Sequence, residues 1–394
     1  MQVFEREARV GGHTNTALVQ LGGRTVAVDT GFIVFNRETY PNLCRLLDRL
    51  GVAHQESDMS FSVSCEACRL EWCGTGLGGL LAQPSNALRP SFVRMLSEIV
   101  RFNREAPRLL TDSALAGLTL SEFLDAGGYS AEVRRHYLYP MAAAVWSSGT
   151  QAIERFPAAL LVRFFRNHGF LGVTTQYRWR TVTGGGRTYV EALTREFRDR
   201  IHAGVAVLSV TRDAPGVTVT FAGGSSRRFD AVVLATHADE ALALLADPTP
   251  EERRLLSPWS YSRNEAVLHS DASFLPRSAR ARASWNYRLS DCRRPTRAVA
   301  VTYSMNRLQS LAVPGELLVT LNPERPIGAA NVHHRTTYTH PVFTLESLAT
   351  QEGLPSLNGA RKTWFAGAYF GNGFHEDGLN AGLAVADGFG VAFP

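Results

Sequence analysis

The sequence is poor in lysine and in long apolar runs, and both shortages narrow the possible functions. Among the 41 basic residues in a chain of 394, Lys362 is the single lysine, and the arginines are scattered. A nucleic-acid-binding protein is expected to show a basic stripe or a recognisable module. The sequence shows neither, so we predict no nucleic-acid partner. No apolar run approaches the roughly 18 residues of a membrane-spanning helix, and the N-terminus has no secretory signal pattern. We therefore expect a cytoplasmic protein without a transmembrane segment.

Cysteine is also scarce. The odd number of cysteines argues against a disulfide framework; the five are Cys44, Cys65, Cys68, Cys73 and Cys292. Cys65 and Cys68 resemble half of a metal site, and Cys73 adds a third thiol. A closed zinc site needs four ligands at recognisable spacing, and no second Cys-x-x-Cys or histidine pair follows nearby. The favoured interpretation is a hairpin turn with free thiols, and no metal site is predicted.

A Gly-x-Gly-x-x-Gly turn in the right context is missing as well. Residues 74–79 match the Gly-x-Gly-x-x-Gly pattern. The nucleotide-binding fingerprint, however, also needs a buried strand before the glycines and a full helix after them. Residues 69–72 alternate like a half-exposed strand, and Pro84 and Pro90 interrupt the following segment. We therefore do not assign these glycines to a nucleotide.

What the sequence does contain begins at Val3–Thr16, where a short apolar strand ends in Glu5 and Gly11-Gly12 follow. In a doubly wound nucleotide-binding fold, an acid at the end of the second strand binds the adenosine ribose. That acid normally lies about 20 residues after the phosphate-binding turn. The sequence therefore predicts that the first strand and its turn lie upstream of Met1; without them the chain would bind its nucleotide poorly.

The rest of the chain alternates between strand and helix patterns, which predicts an α/β protein. Helices are expected after Tyr40, between Ser91 and His168, after the glycines at 184–186 and near Glu376. The apolar stripe at 156–165 is interpreted as part of the core. The alternative is an apolar entrance through which a lipid substrate reaches the site. The predicted strands are Arg24–Asp29, Phe61–Ser64, 69–72, Val205–Val210, Val217–Phe221, Phe229–Ala235, Glu265–His269, Ala298–Tyr303, Leu317–Leu321 and Thr363–Gly367.

Together these stretches resemble the flavin-containing amine oxidases. Within that superfamily the chain is most similar to a bacterial family of predicted NAD/FAD-binding proteins. That family also resembles the oxidase-like module of plant-type cyclopropane fatty-acid synthases. The motifs that carry the resemblance span almost the whole chain: Gly11–Asn15, Tyr40–Asn42, Leu88–Phe92, Ser284–Tyr287, Tyr303–Leu308, Val319–Pro323 and Phe374–Leu379.

The resemblance implies an FAD-binding doubly wound domain of the glutathione-reductase type, with an inserted α+β substrate domain. The FAD domain would comprise residues 1–55, 180–250 and 345–394, and the substrate domain residues 56–179 and 251–344. FAD would be bound non-covalently, since the C-terminal crossing has no cysteine. The implied cofactor-binding residues are Glu5 for the adenosine ribose; Arg9, Gly11, Gly12 and His13 for the pyrophosphate; Gly31 and Phe32 for the flavin ring; Val207 for adenine; and Gly367, Phe374, Asp377, Gly378 and Leu379 for the ribityl chain and pyrimidine edge.

Two departures from the family place amine oxidation in question. Ala368 stands where amine oxidases usually have an acid, and Lys362 precedes the last strand, so no lysine corresponds to the one often found near flavin N5. The leading interpretation is still an amine-oxidase-like, FAD-dependent oxidoreductase that transfers hydride from an unknown small-molecule or lipid substrate to flavin N5. The alternatives are a lipid-modifying flavoenzyme with peripheral membrane contact, and a non-catalytic remnant that binds FAD poorly.

The candidate catalytic residues are His375, Glu376 and Tyr40. Being adjacent, His375, Glu376 and Asp377 cannot all face one pocket, and the acids have an alternative role as helix caps. The adjacent histidines at 333 and 334 are interpreted as solvent-exposed. Further aromatic residues are candidates for a substrate wall, with the core as the alternative location: Trp146, Trp285, Tyr287 and Tyr303.

Overall fold

The computed structural model describes residues 1–172, 177–213 and 216–393. Its strands are β1 (Val3–Glu5), β2 (Thr16–Leu21), β3 (Arg24–Asp29), β4 (His54–Glu56), β5 (Phe61–Cys65), β6 (Leu70–Cys73), β7 (Arg180–Val182), β8 (Ile201–Ala203), β9 (Val207–Asp213), β10 (Gly216–Phe221), β11 (Ser226–Phe229), β12 (Val232–Leu234), β13 (Ser260–His269), β14 (Trp285–Leu289), β15 (Val301–Ser304), β16 (Leu318–Leu321), β17 (Val332–Val342) and β18 (Thr363–Phe365). Its α-helices are α1 (Pro41–Leu50), α2 (Gly76–Leu80), α3 (Pro90–Glu105), α4 (Leu120–Ala126), α5 (Ala131–Val133), α6 (Tyr139–Trp146), α7 (Thr150–Glu154), α8 (Ala158–Asn167), α9 (Arg187–Thr194), α10 (Ala238–Leu244), α11 (Pro250–Leu256), α12 (Met305–Leu308), α13 (Leu345–Gln351) and α14 (His375–Gly388).

A seven-stranded mixed sheet forms the largest layer, in the order β17-β13-β16-β15-β14-β5-β6. Most neighbours are antiparallel, but β14 runs parallel to β5 with Leu289 opposite Cys65. Each strand of the sheet falls between residues 56 and 344. The sheet therefore coincides with the segments that the sequence places in the substrate domain.

A helical layer covers part of this sheet, with α6 contacting both β14 and β17. In α8, Leu161 and Phe165 have no exposed surface, and Phe165 packs edge-to-face on Phe102 of α3. Burying each such side chain stabilises the fold by about 1.5–3 kcal/mol. The interpretation of the 156–165 stripe as core is confirmed, and its burial is at odds with an apolar entrance there.

Two parallel pairs carry the chain segments with the glycine motifs. β1 pairs with β8, and β12 pairs with β18, from which the chain continues into α14. No strand among the described residues joins one pair to the other.

Most predicted elements are confirmed, with three local corrections. The strand before the glycines at 74–79 is buried throughout, but it lies antiparallel at the edge of the sheet and α2 has only five residues. Ser91 lies within α3, whose N-cap is Arg89. The predicted strand Phe229–Ala235 is instead the last residue of β11, which ends at Phe229, followed by the whole of the short strand β12, Val232–Leu234.

Candidate active site

The start of α14 is held in place by its own side chains and glycines. The Oδ2 of Asp377 accepts the backbone N–H groups of Asn372 (3.0 Å) and Phe374 (2.9 Å). A Cβ on Gly371 would collide with that carboxylate, so only glycine fits there. The first-turn N–H groups of a helix have no intrahelical partner and carry partial positive charge. This end of α14 therefore offers donors to an electron-rich group.

His375, a predicted catalytic residue, joins a chain of three side chains. Its Nε2 lies 2.6 Å from the Tyr189 hydroxyl, which lies 2.5 Å from Thr14 Oγ1. The imidazole stacks on Phe32, with ring centroids 4.0 Å apart. Burial lowers the pKa of His375 to about 4, with nearby His13 acting in the same direction. The ring is therefore uncharged at neutral pH.

Glu376, also predicted to be catalytic, instead contacts the start of another helix. It is 6% exposed, and its two carboxylate oxygens accept the backbone N–H groups of Asn42 (2.8 Å) and Leu43 (2.9 Å) in α1. A carboxylate at a helix N-terminus satisfies orphan donors and interacts favourably with the helix dipole. The contacts of Glu376 thus favour the capping alternative over proton transfer.

The carboxyl of Asp377 has a raised proton affinity. Burial raises the pKa of its carboxyl to about 6, against the opposing effect of the backbone donors at Phe374 and Asn372. Its hydrogen bonds are those of a cap for α14. The predicted role of Asp377 in cofactor binding would therefore be indirect, because this residue orders the N-terminus of α14.

The predicted N-terminal cofactor residues form a tight backbone turn. Gly11 and Gly12 have positive φ angles of 114° and 54°, and a Cβ on Gly11 would lie 2.6 Å from the Thr14 oxygen. The Arg9 guanidinium donates to the Gly12 carbonyl at 2.8 Å. Because left-handed backbone is costly for side chains with a Cβ, glycine is needed here.

Another glycine, Gly31, allows the 11–13 turn to approach the segment that contains Phe32. Phe32 N–H donates to the His13 carbonyl at 2.7 Å, and a Cβ on Gly31 would collide with that same oxygen. Gly31 thereby brings the 11–13 turn against the segment that carries Phe32. The sequence correctly placed glycine where the backbone passes close to another group.

His13 packs against a wall of side chains, Tyr338 and His340, from β17 at the edge of the large sheet. Its ring stacks on Tyr338 at 4.8 Å and meets His340 edge-on at 5.0 Å. Burial lowers the pKa of His13 to about 4, helped by His237 and Arg9. Burial likewise holds the pKa of His340 well below its usual range. The wall is therefore polar but uncharged at neutral pH.

Two predicted adenosine-binding residues, Glu5 and Val207, lie near the paired strands β1 and β8. Val205 N–H donates to the Glu5 carbonyl at 2.8 Å, and Val207 begins the next strand. The Glu5 carboxylate accepts the Glu7 N–H at 2.8 Å. Glu5 thus ends β1, and Val207 comes after the end of its parallel partner β8. Nucleotides bind at the carboxyl ends of the strands in such sheets.

Tyr40 precedes α1 and is only 5% exposed. Burial raises the pKa of its hydroxyl, with Asp377 and Glu376 contributing. Its ring packs 6.5 Å from both Phe32 and Phe35. Tyr40 therefore lies in the core beside the site, and its catalytic role stays a prediction.

The candidate wall aromatics divide into two groups. Trp146 donates its indole N–H to the Asn372 carbonyl at 3.1 Å and lies 5.9 Å from the Phe374 ring, at the start of α14. Phe374 also stacks on Phe164 at 4.8 Å. The remaining candidates occupy strands of the large sheet: Trp285, Tyr287 and Tyr303.

Sequence reasoning missed several residues of this site. Asp29, at the end of β3, accepts Thr16 Oγ1 at 2.5 Å and the Gly186 N–H at 2.9 Å, and burial raises its pKa to about 6. The acid at a strand end and the glycines at 184–186 were visible signals, but their contact was not. Tyr189, Tyr338 and His340 carried no local motif.

The catalytic candidates and the glycine segments therefore meet at one place, around His375 and Phe32. Residues 1–322 match the family model of flavin containing amine oxidoreductase. The search of curated proteins returned no match.

Three solved structures share the fold over nearly the whole chain. A fatty acid isomerase from P. acnes, described as CLA-producing, is 16% identical with a TM-score of 0.65, covering 99% of this chain and 92% of that one. A putrescine oxidase variant is 15% identical with a TM-score of 0.67, covering 98% and 93%. Cyclohexylamine oxidase from Brevibacterium oxydans is 17% identical with a TM-score of 0.66, covering 99% and 94%. The chain has a mixed α/β fold that matches FAD-dependent amine oxidases, and it belongs to the flavin-containing amine oxidoreductase family, with FAD as its cofactor.

Proposed function

We propose that this FAD-dependent oxidoreductase removes hydride from an uncharged, apolar part of its substrate at the start of α14. The observation that carries the proposal is that the acids and histidines described there either have protein partners already or are uncharged. The acids beside His375 are hydrogen-bonded to backbone N–H groups, and the histidines have pKa values that leave them uncharged at neutral pH.

The residues around the start of α14 fit a flavin. Its first-turn N–H groups could stabilise charge at the carbonyl edge of the ring. Gly31 provides a close backbone approach that a Cβ would block, next to Phe32. Glu5, at the end of β1, suits the adenosine ribose. When bound, FAD supplies a two-electron acceptor.

We assign FAD to a doubly wound, glutathione-reductase-like domain of residues 1–55, 180–250 and 345–394. In support, α1 contacts both α9 and α14, and both parallel strand pairs belong to these segments. The seven-stranded sheet and the helical layer would form the substrate domain, residues 56–179 and 251–344. The candidate site then lies where these two domains meet.

His375 is the residue that we propose for proton transfer. Its neutral imidazole, 2.6 Å from Tyr189, is part of a path that continues to Thr14. In a desaturation, one substrate C–H bond loses hydride with both electrons, the adjacent carbon loses a proton, and a double bond forms. In an isomerisation, the hydride returns to another carbon.

The aromatic side of the site favours an apolar substrate. Trp146, Phe164 and Phe374 surround the start of α14 from the helical layer. A recognition site for an ammonium group would benefit from an unpaired acid, and Glu376 and Asp377 are both engaged. Unsaturated fatty acids are therefore the first substrate class that we propose, with amines as the second. Among the described residues every helix is too short or too polar to span a bilayer. Peripheral membrane contact and a cytoplasmic location stay predictions.

The test is anaerobic mixing of the flavin-loaded protein with an unsaturated free fatty acid, putrescine or cyclohexylamine. We expect the fatty acid either to reduce the flavin or to return with a shifted double bond, measured by absorbance and by gas chromatography. Rapid flavin reduction by the amines, with an unchanged fatty acid, would overturn the proposed substrate class.

The same preparation tests whether the chain is catalytic. A purified protein that holds flavin near one equivalent would exclude the remnant alternative. A chain that stays colourless as given and turns yellow when extended upstream would support a missing phosphate-binding turn. The His375→Gln variant should bind flavin like the wild type but react about 100-fold more slowly.

A further inference from the structure

We propose that Cys65, Cys68, His136 and Cys292 bind one Zn²⁺ ion that joins the large sheet to the helical layer. Their ligand atoms all lie within 4.8 Å of one another. The sequence suggested only the first two, because the other two lie far along the chain. Cys73, the third thiol in that hairpin, is not in the group.

The geometry is close to that of a tetrahedral site. Zinc binds sulfur at about 2.3 Å and histidine nitrogen at about 2.0–2.1 Å, so neighbouring ligand atoms lie about 3.6–3.8 Å apart. Cys68 Sγ and His136 Nε2 are 3.4 Å apart. Three cysteines and one histidine form a common structural zinc ligand set. Only small inward shifts are therefore needed.

The hairpin between β5 and β6 is shaped to present two sulfurs. Cys65 ends β5, and Cys68 lies in the following turn. Arg69 has a φ of 55°, an uncommon value for a residue with a Cβ. Its neighbour in sequence, Cys68, is braced by Arg89, which donates to the Cys68 carbonyl at 3.4 Å. Backbone strain of this kind is concentrated at functional sites.

The third sulfur comes from the segment after β14. Leu289 is the register partner of Cys65, and the pairing continues beyond it. Glu66 N–H donates to the Leu289 carbonyl at 2.9 Å, and Ala67 N–H to that of Ser290 at 3.1 Å. This parallel extension carries Cys292 to the two sulfurs of the hairpin.

His136 reaches the sulfurs from the helical layer. It lies within a single π-helical turn, Arg134–Leu138, and is 7% exposed. Such turns are rare and often occur at functional sites. The irregular helix and the strained hairpin turn therefore meet at the same four side chains.

Charge and access also suit a metal ion. Three thiolates and a neutral imidazole around Zn²⁺ carry a net charge of about −1. A cavity of about 380 Å³ opens beside the group and is lined by Cys68, Cys292 and the basic residues Arg89 and Arg135. The cavity gives an entry path, and the arginines offset the negative charge.

The test is metal analysis of the purified full-length protein. We expect about one zinc per chain, which cobalt replaces to give thiolate charge-transfer and tetrahedral ligand-field bands in the difference spectrum. The variants Cys292→Ser and His136→Ala should lower the metal content at least tenfold. Cys73→Ser is the matched control, because this buried cysteine of the same hairpin should leave the metal content unchanged.

A second variant keeps the proposal testable if the first ones misfold. His136→Cys preserves four ligands and should retain about one zinc per chain. The proposal is overturned if the folded wild type contains no zinc and takes up no cobalt. It is equally overturned if mass spectrometry of freshly purified protein finds a Cys65–Cys68 disulfide in most chains, or if Cys73→Ser loses metal as completely as Cys292→Ser.

Discussion

Two histidines, the partly buried His375 and the buried His136, have different kinds of neighbours. His375 is hydrogen-bonded to Tyr189 and stacked on Phe32, so its polar and apolar surfaces are both matched by protein groups. His136 instead faces three thiols, which are weak hydrogen-bond partners for one another. The first arrangement is complete without a metal and suits proton transfer. The second becomes complete when a cation occupies its centre.

This contrast teaches that the partners of a buried polar group indicate its chemistry better than its residue type does. Around His375 the neighbouring acids are engaged with backbone donors, and they order two helices. Around His136 the neighbours are sulfur atoms that come from two other segments, the β5–β6 hairpin and the chain after β14.

The largest effect is expected from removal of the metal at His136. Stripping zinc from the wild type with a chelator should lower the free energy of unfolding by about 4 kcal/mol. The large sheet and the helical layer would then lose the metal ion that binds side chains of both. Denaturant titration with and without chelator measures this. The Cys73→Ser variant should respond to the chelator as the wild type does, and an unchanged midpoint for zinc-loaded wild type would contradict the structural role.

Gly31→Ala should disturb the backbone next to Phe32, the residue on which His375 stacks. The new Cβ would collide with the His13 carbonyl, a backbone atom that cannot turn aside. We expect a loss of about 3 kcal/mol and a reduced flavin content, measured by thermal unfolding and absorbance. Gly117→Ala is the control, since a Cβ there meets nothing within 4 Å. Equal behaviour of the two variants would show that the close approach at Gly31 is unimportant.

Glu376→Gln separates capping from catalysis. The variant keeps one acceptor oxygen but loses the charge-assisted bonds to Asn42 and Leu43, so we expect a loss of about 1–2 kcal/mol. The reaction rate per folded, flavin-loaded enzyme should change less than about threefold. Glu346→Gln, at the exposed start of α13, should change stability by less than about 0.5 kcal/mol. A large rate loss with unchanged stability would restore Glu376 as a catalytic residue.

The smallest effect concerns pH. The pKa of Asp377 is raised from 3.8 to about 6 in the folded state, so the folded protein binds more protons than the unfolded chain between those values. Its contribution therefore favours folding at low pH and is lost as the pH rises from about 4 to about 6. Asp377→Asn keeps one acceptor oxygen for the two backbone donors and should make the free energy of unfolding less dependent on pH between about 4 and 6. An identical slope in both proteins would contradict the raised pKa.

The local parts of the fold could be predicted because their causes are local. The glycine stop of α1 at Gly51, the capping box at Thr119 and the strand-to-helix crossing before α14 each follow from neighbouring residues. Gly31 could also be recognised, because a backbone that passes close to another group excludes a Cβ.

The contacts between distant segments could not be predicted in the same way. Glu376 binds α1, more than 330 residues away in sequence, and no local pattern distinguishes that role from catalysis. Cys292 joins Cys65 only through a parallel strand pairing, and His136 through packing of the helical layer. Such proximity depends on how the layers dock, which spacing along the chain does not encode.

We propose that His375, rather than the acid beside it, serves the reaction. The direct measurement is the anaerobic rate with the fastest substrate of the panel, compared among flavin-loaded wild type, His375→Gln and Glu376→Gln. We predict a rate about 100-fold lower for His375→Gln and a nearly unchanged rate for Glu376→Gln. A normal rate for His375→Gln with a slow Glu376→Gln would contradict it.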